Sequence, residues 1–167
     1  MPMQPDMCVP CGDGFINLRV GAIIMKDDKI LMAGNGWASY AYTVGGRLKF
    51  GETAREAVIR EVREETGREL EIDRLGFIHE CYFPGDSPSK KGKIFYEIGF
   101  YFYMKVPEDY EPVSMRFQEG EQEERLNWVP IDGEVKYYPE FFRRELKQPS
   151  ETVKHFVTDE RINHESD

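Results

Sequence analysis

The sequence predicts a mixed α/β (α+β) fold in which helices cover the faces of a mixed β-sheet. Runs of aromatic and branched residues, which favour strands, are interrupted by one segment, residues 54–66, that carries helix signals at both ends. The resulting order of strands, helix, strands and a second helix is typical of a mixed sheet with helices packed on it. A chain of 167 residues with 40% apolar content can build one core of ordinary size, so we expect one domain.

The first predicted strands lie on both sides of an Asp27-Asp28 turn. Residues 15–25 form an apolar run with partial alternation, and residues 29–33 form another, so we interpret the pair as a hairpin. The glycine-rich residues 34–46 predict a loop with a short strand that leads into Gly45-Gly46.

The first helix is predicted over residues 54–66. Thr53 and Glu56 have the spacing of a capping box, in which each side chain accepts a hydrogen bond from the backbone amide of the other residue. Gly67 suits the left-handed position just past a helix end.

The second half of the chain predicts another hairpin and another helix. Residues 75–83 and 94–106 are rich in aromatic and branched residues and flank a polar turn. Residues 126–131 predict a strand, and residues 139–146 predict a helix with Pro139 at its first position. We therefore divide the chain into a flexible N-terminal segment (1–14), a domain (15–147) and a polar C-terminal tail (148–167).

Composition and charge exclude several classes of protein. A net charge of −9 argues against binding to long nucleic acid, which relies on many Lys and Arg residues. The sequence has neither an apolar run of membrane-spanning length nor a signal-peptide pattern, so we expect a cytoplasmic protein without membrane contact. Cys8 and Cys11 have the spacing of half a zinc site or of a redox pair, but a structural zinc needs four ligands, so a reduced, flexible N-terminal segment is the favoured interpretation.

On a helical wheel, the charged residues of the predicted helix form two groups. One group shares a sector with the small apolar residues and consists of Glu61, Glu64 and Glu65. The other lies opposite and consists of Glu56, Arg60 and Arg63. Ion pairs explain the second group as a solvated face. Carboxylates beside an apolar stripe repel each other unless a cation compensates, and crowded oxygen ligands suit magnesium or manganese. A solvated acidic face and a divalent metal site both remain open.

The residues around this helix match a longer motif. Gly46, Glu52 and the run REVREETG at residues 60–67 fit the pattern G-x5-E-x7-R-E-U-x-E-E-x-G-U, where U is apolar. The chain therefore resembles the Nudix hydrolase family, whose box has this pattern. Only the last position departs, because Arg68 stands where an apolar residue is usual; Val44 also replaces a proline common before the paired glycines. The resemblance implies a Nudix-type mixed sheet sandwiched between helices.

The resemblance also implies roles for individual residues. In the family, the box binds divalent metals that contact a diphosphate, and water attacks one phosphorus. Magnesium, or manganese in its place, would be bound by the backbone of Gly46 and by three carboxylates, those of Glu61, Glu64 and Glu65. Arg60 would orient the glutamates by ion pairing, and Glu52 would assist at the metal or hold the loop. The candidate catalytic residues are Glu52, Arg60, Glu61, Glu64 and Glu65.

The general base varies in position within the family. Here residues 116–128 supply acids just before a predicted strand, and the candidates for a base or extra ligand are Glu121, Glu123 and Glu124, with Glu119 in the same segment. A solvated acidic loop explains these residues as well.

Substrate contacts are less well defined by the sequence. The candidates are Arg19, Trp37, Tyr42, Tyr82 and Pro84. Aromatic rings stack on nucleobases and Arg19 suits phosphate, whereas the spacing of Pro84 from the box resembles the family members that cleave ADP-ribose. A buried core position or, for Pro84, an ordinary turn explains each of them without a substrate.

The sequence therefore predicts a magnesium-dependent pyrophosphohydrolase. Its substrate would be a nucleoside diphosphate linked to another moiety, as in ADP-ribose-like compounds, nucleoside triphosphates or dinucleoside polyphosphates. The alternative is a Nudix domain that senses a nucleotide without cleaving it. We expect a small-molecule nucleotide partner, and a monomer or a homodimer.

Overall fold

The computed structural model describes residues 4–35, 39–85 and 87–161 of the chain. In this part, the helices are α1 (Ala54–Thr66) and α2 (Phe142–Glu145). The strands are β1 (Cys8–Cys11), β2 (Gly14–Ile23), β3 (Met25–Lys26), β4 (Lys29–Asn35), β5 (Ala41–Arg47), β6 (Glu71–Pro84), β7 (Ile94–Lys105), β8 (Arg116–Glu119), β9 (Gln122–Pro130), β10 (Tyr137–Tyr138) and β11 (Lys154–Asp159). None of the helices in these residues is long and apolar enough to span a bilayer.

The strands join in a mixed sheet whose main path has the order β11-β6-β7-β2-β5-β4-β9-β8. The pairs β2–β7 and β6–β11 are parallel, whereas β2–β5, β6–β7 and β4–β9 are antiparallel. The short strands β1, β10 and β3 pair with β2, β5 and β4. Central strand β2 therefore connects the two halves of the sheet, and the predicted mixed sheet is confirmed.

The sheet carries one helix on each face. Side chains of neighbouring residues in a strand point to opposite faces, and along β7 this places Phe102 in one core and Tyr101 in the other. Helix α1 packs into the first core through Val62, and α2 packs into the second through Phe142. The predicted arrangement of a sheet between helices is therefore confirmed.

Two predicted elements agree closely with the structure. The bounds of α1 are those predicted. The second hairpin is confirmed as the antiparallel pair β6–β7.

The first predicted hairpin is confirmed only beside its turn, where Met25 pairs with Ile30. The turn at Asp27 and Asp28, with φ angles of 51° and 61°, joins β3 to β4, while β2 pairs with β5 and β7. The long apolar run of β2 is explained by the central position of this strand between β5 and β7, where both of its faces pack against other residues.

The chain ends and the second helix also differ from the prediction. Helix α2 spans four residues rather than residues 139–146, and the Tyr138–Pro139 peptide bond before it is cis. Strand β1 lies in the segment predicted to be flexible, and β11 lies in the predicted tail, where Phe156 stacks on Phe141 at 4.3 Å between ring centroids. Pairing with the adjoining strand β2 orders β1, and pairing with the distant strand β6 orders β11. The limits of the domain at residues 15 and 147 stay a prediction.

Candidate active site

A broad cleft of about 1710 Å³ opens beside α1 and crosses the sheet over β5, β2, β7 and β6. Sites for drug-sized ligands are usually about 300–1,000 Å³, so this cleft has room for a nucleotide with a second group attached. Its lining includes Glu61 and Glu65 from α1, Arg19 and Asn17 from β2, and Glu97 from β7. The cleft therefore joins the predicted metal ligands to a second polar group on the sheet.

Helix α1 begins and ends through the contacts predicted for it. Thr53 Oγ1 accepts a hydrogen bond from Glu56 N at 3.2 Å, and Thr53 N donates to the Glu56 carboxylate at 2.8 Å. Gly67 has a φ of 76°, and its amide donates to Arg63 O at 2.9 Å. These contacts define both ends of the helix, and the apolar face between them packs on the sheet.

Glu61 and Glu65 are directed from α1 onto the paired glycines of β5. Their relative exposures are 7% and 5%, so both carboxylates are buried. Gly45 N donates to Glu65 Oε1 at 3.4 Å, and a Cβ atom at residue 46 would lie 2.6 Å from Glu61 Oε1. Only glycine at residue 46 lets the backbone lie this close to the carboxylate.

Arg60 connects the predicted acidic residues. Its guanidinium donates to both Glu52 oxygens at 2.6 and 2.9 Å, to Glu61 at 2.8 Å and to Glu64 at 3.2 Å. The side chain is only 16% exposed, so its predicted position on a solvated outer face is wrong. The contact with Glu52, eight residues away, turns it inward. Glu52 also accepts from Lys49 N at 2.7 Å, and this places it in the loop rather than among the inner carboxylates.

The pKa values of the acids follow their contacts. Burial, reinforced by the charge of Glu61, raises the pKa of Glu65 to about 9. Burial also raises the pKa of Glu61, although the hydrogen bond from Arg60 opposes this effect. Burial acts in the same direction on Glu52, but the hydrogen bonds from Arg60 and Lys49 outweigh it and lower the pKa. The inner carboxylates are therefore the ones that resist ionisation.

The same carboxylates fit a divalent cation. Glu65 Oε2 is buried without a hydrogen-bond partner, and Glu61 presses against the backbone of Gly46. Oxygen donors of this kind suit magnesium or manganese. In the part of the chain that the structure describes, no group of three or more His, Cys, Asp or Glu side chains is already arranged around one metal position. The third predicted ligand, Glu64, is not part of such a group, because its side chain is 51% exposed and paired with Arg60.

The acids of β8 and β9 fall into two groups. Glu119 and Glu124 line the cleft. Glu124 accepts from Tyr42 Oη at 2.7 Å and is 5% exposed, whereas Glu123 lies near Arg116 at 3.5 Å and is exposed like Glu121. Burial and the charges of Glu64 and Glu124 raise the pKa of Glu119. Glu119 is exposed as well, but it borders the cleft, so the structure brings Glu119 rather than Glu121 or Glu123 near the proposed metal site.

The predicted substrate contacts also separate. Arg19, Tyr42 and Pro84 line the cleft. Tyr82 does not, because it points to the other face of β6, where it packs on Tyr96 with 4.7 Å between ring centroids. The structure does not bring Tyr82 to the cleft, and its role as a substrate contact stays a prediction. Trp37 lies outside the described residues.

The cysteine pair is not arranged as half a metal site. Cys8 and Cys11 are the first and last residues of β1, and residues three apart in a strand point to opposite faces. Both are free thiols.

Two cleft residues were missed by the sequence prediction. Asn17 Nδ2 donates to Glu97 Oε2 at 2.5 Å across the parallel pair β2–β7. Glu97 is the one charged residue inside the apolar run of β7, and Asn17 stands with Arg19 in the mostly apolar β2. Polar residues at such positions are a signal that could have identified them. Their proximity depends on a pairing of strands 80 residues apart, which the sequence does not reveal.

Comparison with known proteins agrees with this geometry. A protein from Bacillus subtilis (strain 168) named Uncharacterized Nudix hydrolase YvcI is 40% identical over 53 residues, which cover 32% of this chain and 34% of that protein. The matched stretch thus spans about a third of the relative's length.

Solved structures extend the likeness to the fold. An ADP-ribose pyrophosphatase from Streptococcus suis superposes with a TM-score of 0.55 at 18% identity, covering 84% of this chain and 98% of that one. A MutT protein from Bacillus halodurans superposes with a TM-score of 0.58 at 20% identity, covering 84% and 90%. Finally, the model of the NUDIX domain matches residues 16–149, so the chain belongs to the Nudix hydrolase family.

Proposed function

We propose that this chain is a magnesium-dependent pyrophosphohydrolase that cleaves a nucleoside diphosphate linked to another moiety. The observation that carries the proposal is the buried Glu65 carboxylate, which has one oxygen without a partner and lies beside Glu61 in a cleft. A buried carboxylate in this state is unfavourable unless a cation joins it. Manganese suits the same oxygens, and the cytoplasm is the proposed location.

Each residue of the box has its own role in the proposed metal site. Glu61 and Glu65 would supply the inner oxygens, and Glu64 would be the third ligand. Arg60 orients the carboxylates through hydrogen bonds, and Glu52 holds Arg60 against the loop before α1. A bound divalent ion would neutralise diphosphate charge and lower the pKa of bound water.

Two further residues act on the substrate side in this proposal. Arg19 has the acids Glu97, Glu65 and Glu61 as electrostatic neighbours; burial lowers its pKa, but these acids outweigh burial and raise it. The guanidinium therefore stays charged and attracts phosphate oxygens into the cleft. Glu119 borders the same space and is the candidate for the base or an extra ligand.

One panel of substrates tests the proposal. Purified protein with magnesium is incubated with ADP-ribose, nucleoside triphosphates, nucleotide sugars and dinucleoside polyphosphates, and products are separated by chromatography. We expect two phosphorylated products from at least one compound, and none after chelation of the metal. Tight binding with no cleavage of any compound would instead support a nucleotide sensor.

A further inference from the structure

The pair Asn17 and Glu97 forms a second polar group in the cleft, apart from the metal site. Asn17 is 3% exposed, yet it lines the cleft. Because a carboxylate accepts hydrogen bonds, the amide turns its NH2 group toward Glu97, at 2.5 Å. This leaves Asn17 Oδ1 buried without a hydrogen-bond partner. A buried polar oxygen without a partner is uncommon in folded proteins and calls for a ligand.

The chemistry of the pair restricts what it binds. Asn17 Oδ1 and the second oxygen of Glu97 are both acceptors and belong to residues that sit opposite each other in the β2–β7 register. The carboxylate repels phosphate groups, so the pair does not suit the anionic part of a nucleotide. Two adjacent acceptors instead suit a neutral group with two adjacent hydrogen-bond donors.

The position of the pair along β2 matches the length of a nucleotide. Arg19 lies on the same face of β2, two residues from Asn17, and alternate residues of a strand are about 7 Å apart. On the other side of Arg19, Val20 and Gly21 pair with Gly46 and Gly45, the glycines that contact Glu61 and Glu65, so Arg19 lies between the proposed metal site and Asn17 along β2. A phosphate held at Arg19 would place the attached ribose or base over Asn17 and Glu97.

The ring of Tyr101 covers two glycines beside Arg19. A Cβ atom at Gly21 would come within 2.5 Å of this ring, and one at Gly99, the residue opposite Arg19 on β7, would lie 2.8 Å from it. The ring is 5% exposed and packs edge-on against Phe142, with 5.4 Å between ring centroids. Tyr101 therefore forms a fixed apolar surface next to Arg19.

We propose that Asn17 and Glu97 form the subsite that recognises the nucleoside part of the substrate through two adjacent hydrogen-bond donors. The donors are either the vicinal hydroxyls of ribose or the N1–H and N2–H2 groups of guanine. The assignment rests on the proposed function, since it places the nucleoside beside a phosphate at Arg19. Neither residue touches the reacting phosphorus, so both serve binding and specificity.

Binding of nucleoside monophosphates tests the subsite without catalysis, because these compounds contain no diphosphate bond. Calorimetry with magnesium compares GMP, AMP, IMP and dGMP on the natural protein and on Glu97→Gln. A hydrogen bond to a charged group contributes enough that we expect affinity for the preferred compound to fall about tenfold or more in the variant. Ribose recognition predicts similar affinities for GMP and AMP and weak binding of dGMP. Guanine recognition predicts that GMP and dGMP bind more tightly than AMP and IMP.

Matched variants control for changes in folding. Glu80→Gln makes the same substitution on the neighbouring strand but outside the cleft, where Glu80 pairs with His155 and Tyr96, and it should bind as the natural protein does. Asn17→Ser keeps a donor for Glu97 but removes the free carbonyl oxygen, and it should weaken the same ligand. Thermal melts establish that each variant is folded.

The outcomes separate this inference from the proposed function. Equal affinities of the natural protein and Glu97→Gln for all four compounds, or no binding of any of them, would overturn the subsite. If a diphosphate substrate is cleaved, Glu97→Gln should raise KM about tenfold and leave kcat within about threefold. Cleavage with an unchanged KM would contradict the subsite alone. Monophosphate binding that depends on Glu97, with no cleavage of any diphosphate, would contradict only the proposed hydrolysis.

Discussion

Glu65 and Glu80 are two partly or fully buried carboxylates whose surroundings lead to opposite results. Glu80 accepts hydrogen bonds from Tyr96 Oη and interacts with His155 Nε2, each at 2.5 Å, and these contacts lower its pKa. Glu65 accepts one long bond from Gly45 N at 3.4 Å, has a second oxygen without a partner, and has a pKa raised to about 9 by burial. The carboxylate with complete contacts serves structure, whereas the incomplete one is available for a cation.

The substitution Glu65→Gln tests this comparison with the largest expected effect. We expect turnover to fall about 100-fold or more, because a charge that holds the metal is lost. Magnesium-dependent hydrolysis of the best substrate from the panel measures it. Glu80→Gln is the matched control and should stay within about twofold. Comparable losses in both variants would contradict the difference drawn between the two carboxylates.

Stability of the metal-free protein gives the same variant a second readout. The folded pKa of Glu65 lies above the unfolded value, so its contribution to stability is present at low pH and is lost as pH rises from about 4.5 to about 9. The amide of Gln fits the site without a charge. Metal-free Glu65→Gln should therefore melt at a higher temperature than the natural protein at pH 8, and a lower melting temperature would show that the carboxylate has a partner of its own.

The next effect concerns the residue that positions the acids. Arg60→Lys keeps the charge but cannot donate to Glu52, Glu61 and Glu64 at once. Loss of a side chain that orients metal ligands typically costs about 10–100-fold, so we expect a loss of that size in turnover and a higher magnesium requirement. Magnesium titrations of the rate measure both. Arg63→Lys is the control, because Arg63 is exposed and lies 3.4 Å from Glu69. An unchanged magnesium requirement in Arg60→Lys would refute the positioning role.

A smaller effect is expected at Glu119. This acid lines the cleft, whereas Glu121 is exposed outside it. Glu119→Gln should lower kcat about tenfold or more if the residue acts as a base or extra ligand. Glu121→Gln, on the same hairpin, should leave the rate unchanged. Steady-state rates of the two variants test whether Glu119 acts as a base or extra ligand. Equal rates would indicate that the base is a glutamate of the box.

The smallest effect is expected at His79, where burial is the main cause of the pKa shift. Burial, with a minor contribution from His155, lowers the pKa of His79 to about 4. The unfolded imidazole binds a proton below about pH 6.5, so folding stability should fall as pH decreases from about 6.5 to about 4. His79→Gln has no imidazole, so its folding stability lacks this pH dependence. Urea unfolding at pH 7.5 and pH 5 should show the stability of the natural protein falling more than that of the variant, and equal decreases would exclude the effect.

Local patterns predicted the part of the site that lies on one helix. The box spans residues 46–68. Its helix caps and its Arg60–Glu64 pair are contacts between residues four or fewer apart, and its buried face follows from the helical period. The inward turn of Arg60 was missed, because the wheel compares residues of the helix only and Glu52 lies in the preceding loop. The pairing of strands was predicted only for strands that follow each other along the chain, as in β6–β7.

The sequence by itself determined the family, the first helix and two of its three predicted inner carboxylates, Glu61 and Glu65, since these depend on spacing along the chain. Glu64 was also predicted to lie inside, but its side chain is 51% exposed. Tertiary structure alone decided that Asn17 meets Glu97, that Tyr42 meets Glu124, and that β11 joins the sheet beside β6. These contacts join residues about 80 positions apart, and their register follows from the packing of the whole sheet rather than from any local preference. The proposed metal end of the cleft could therefore be predicted from the sequence, and the proposed nucleoside end could not.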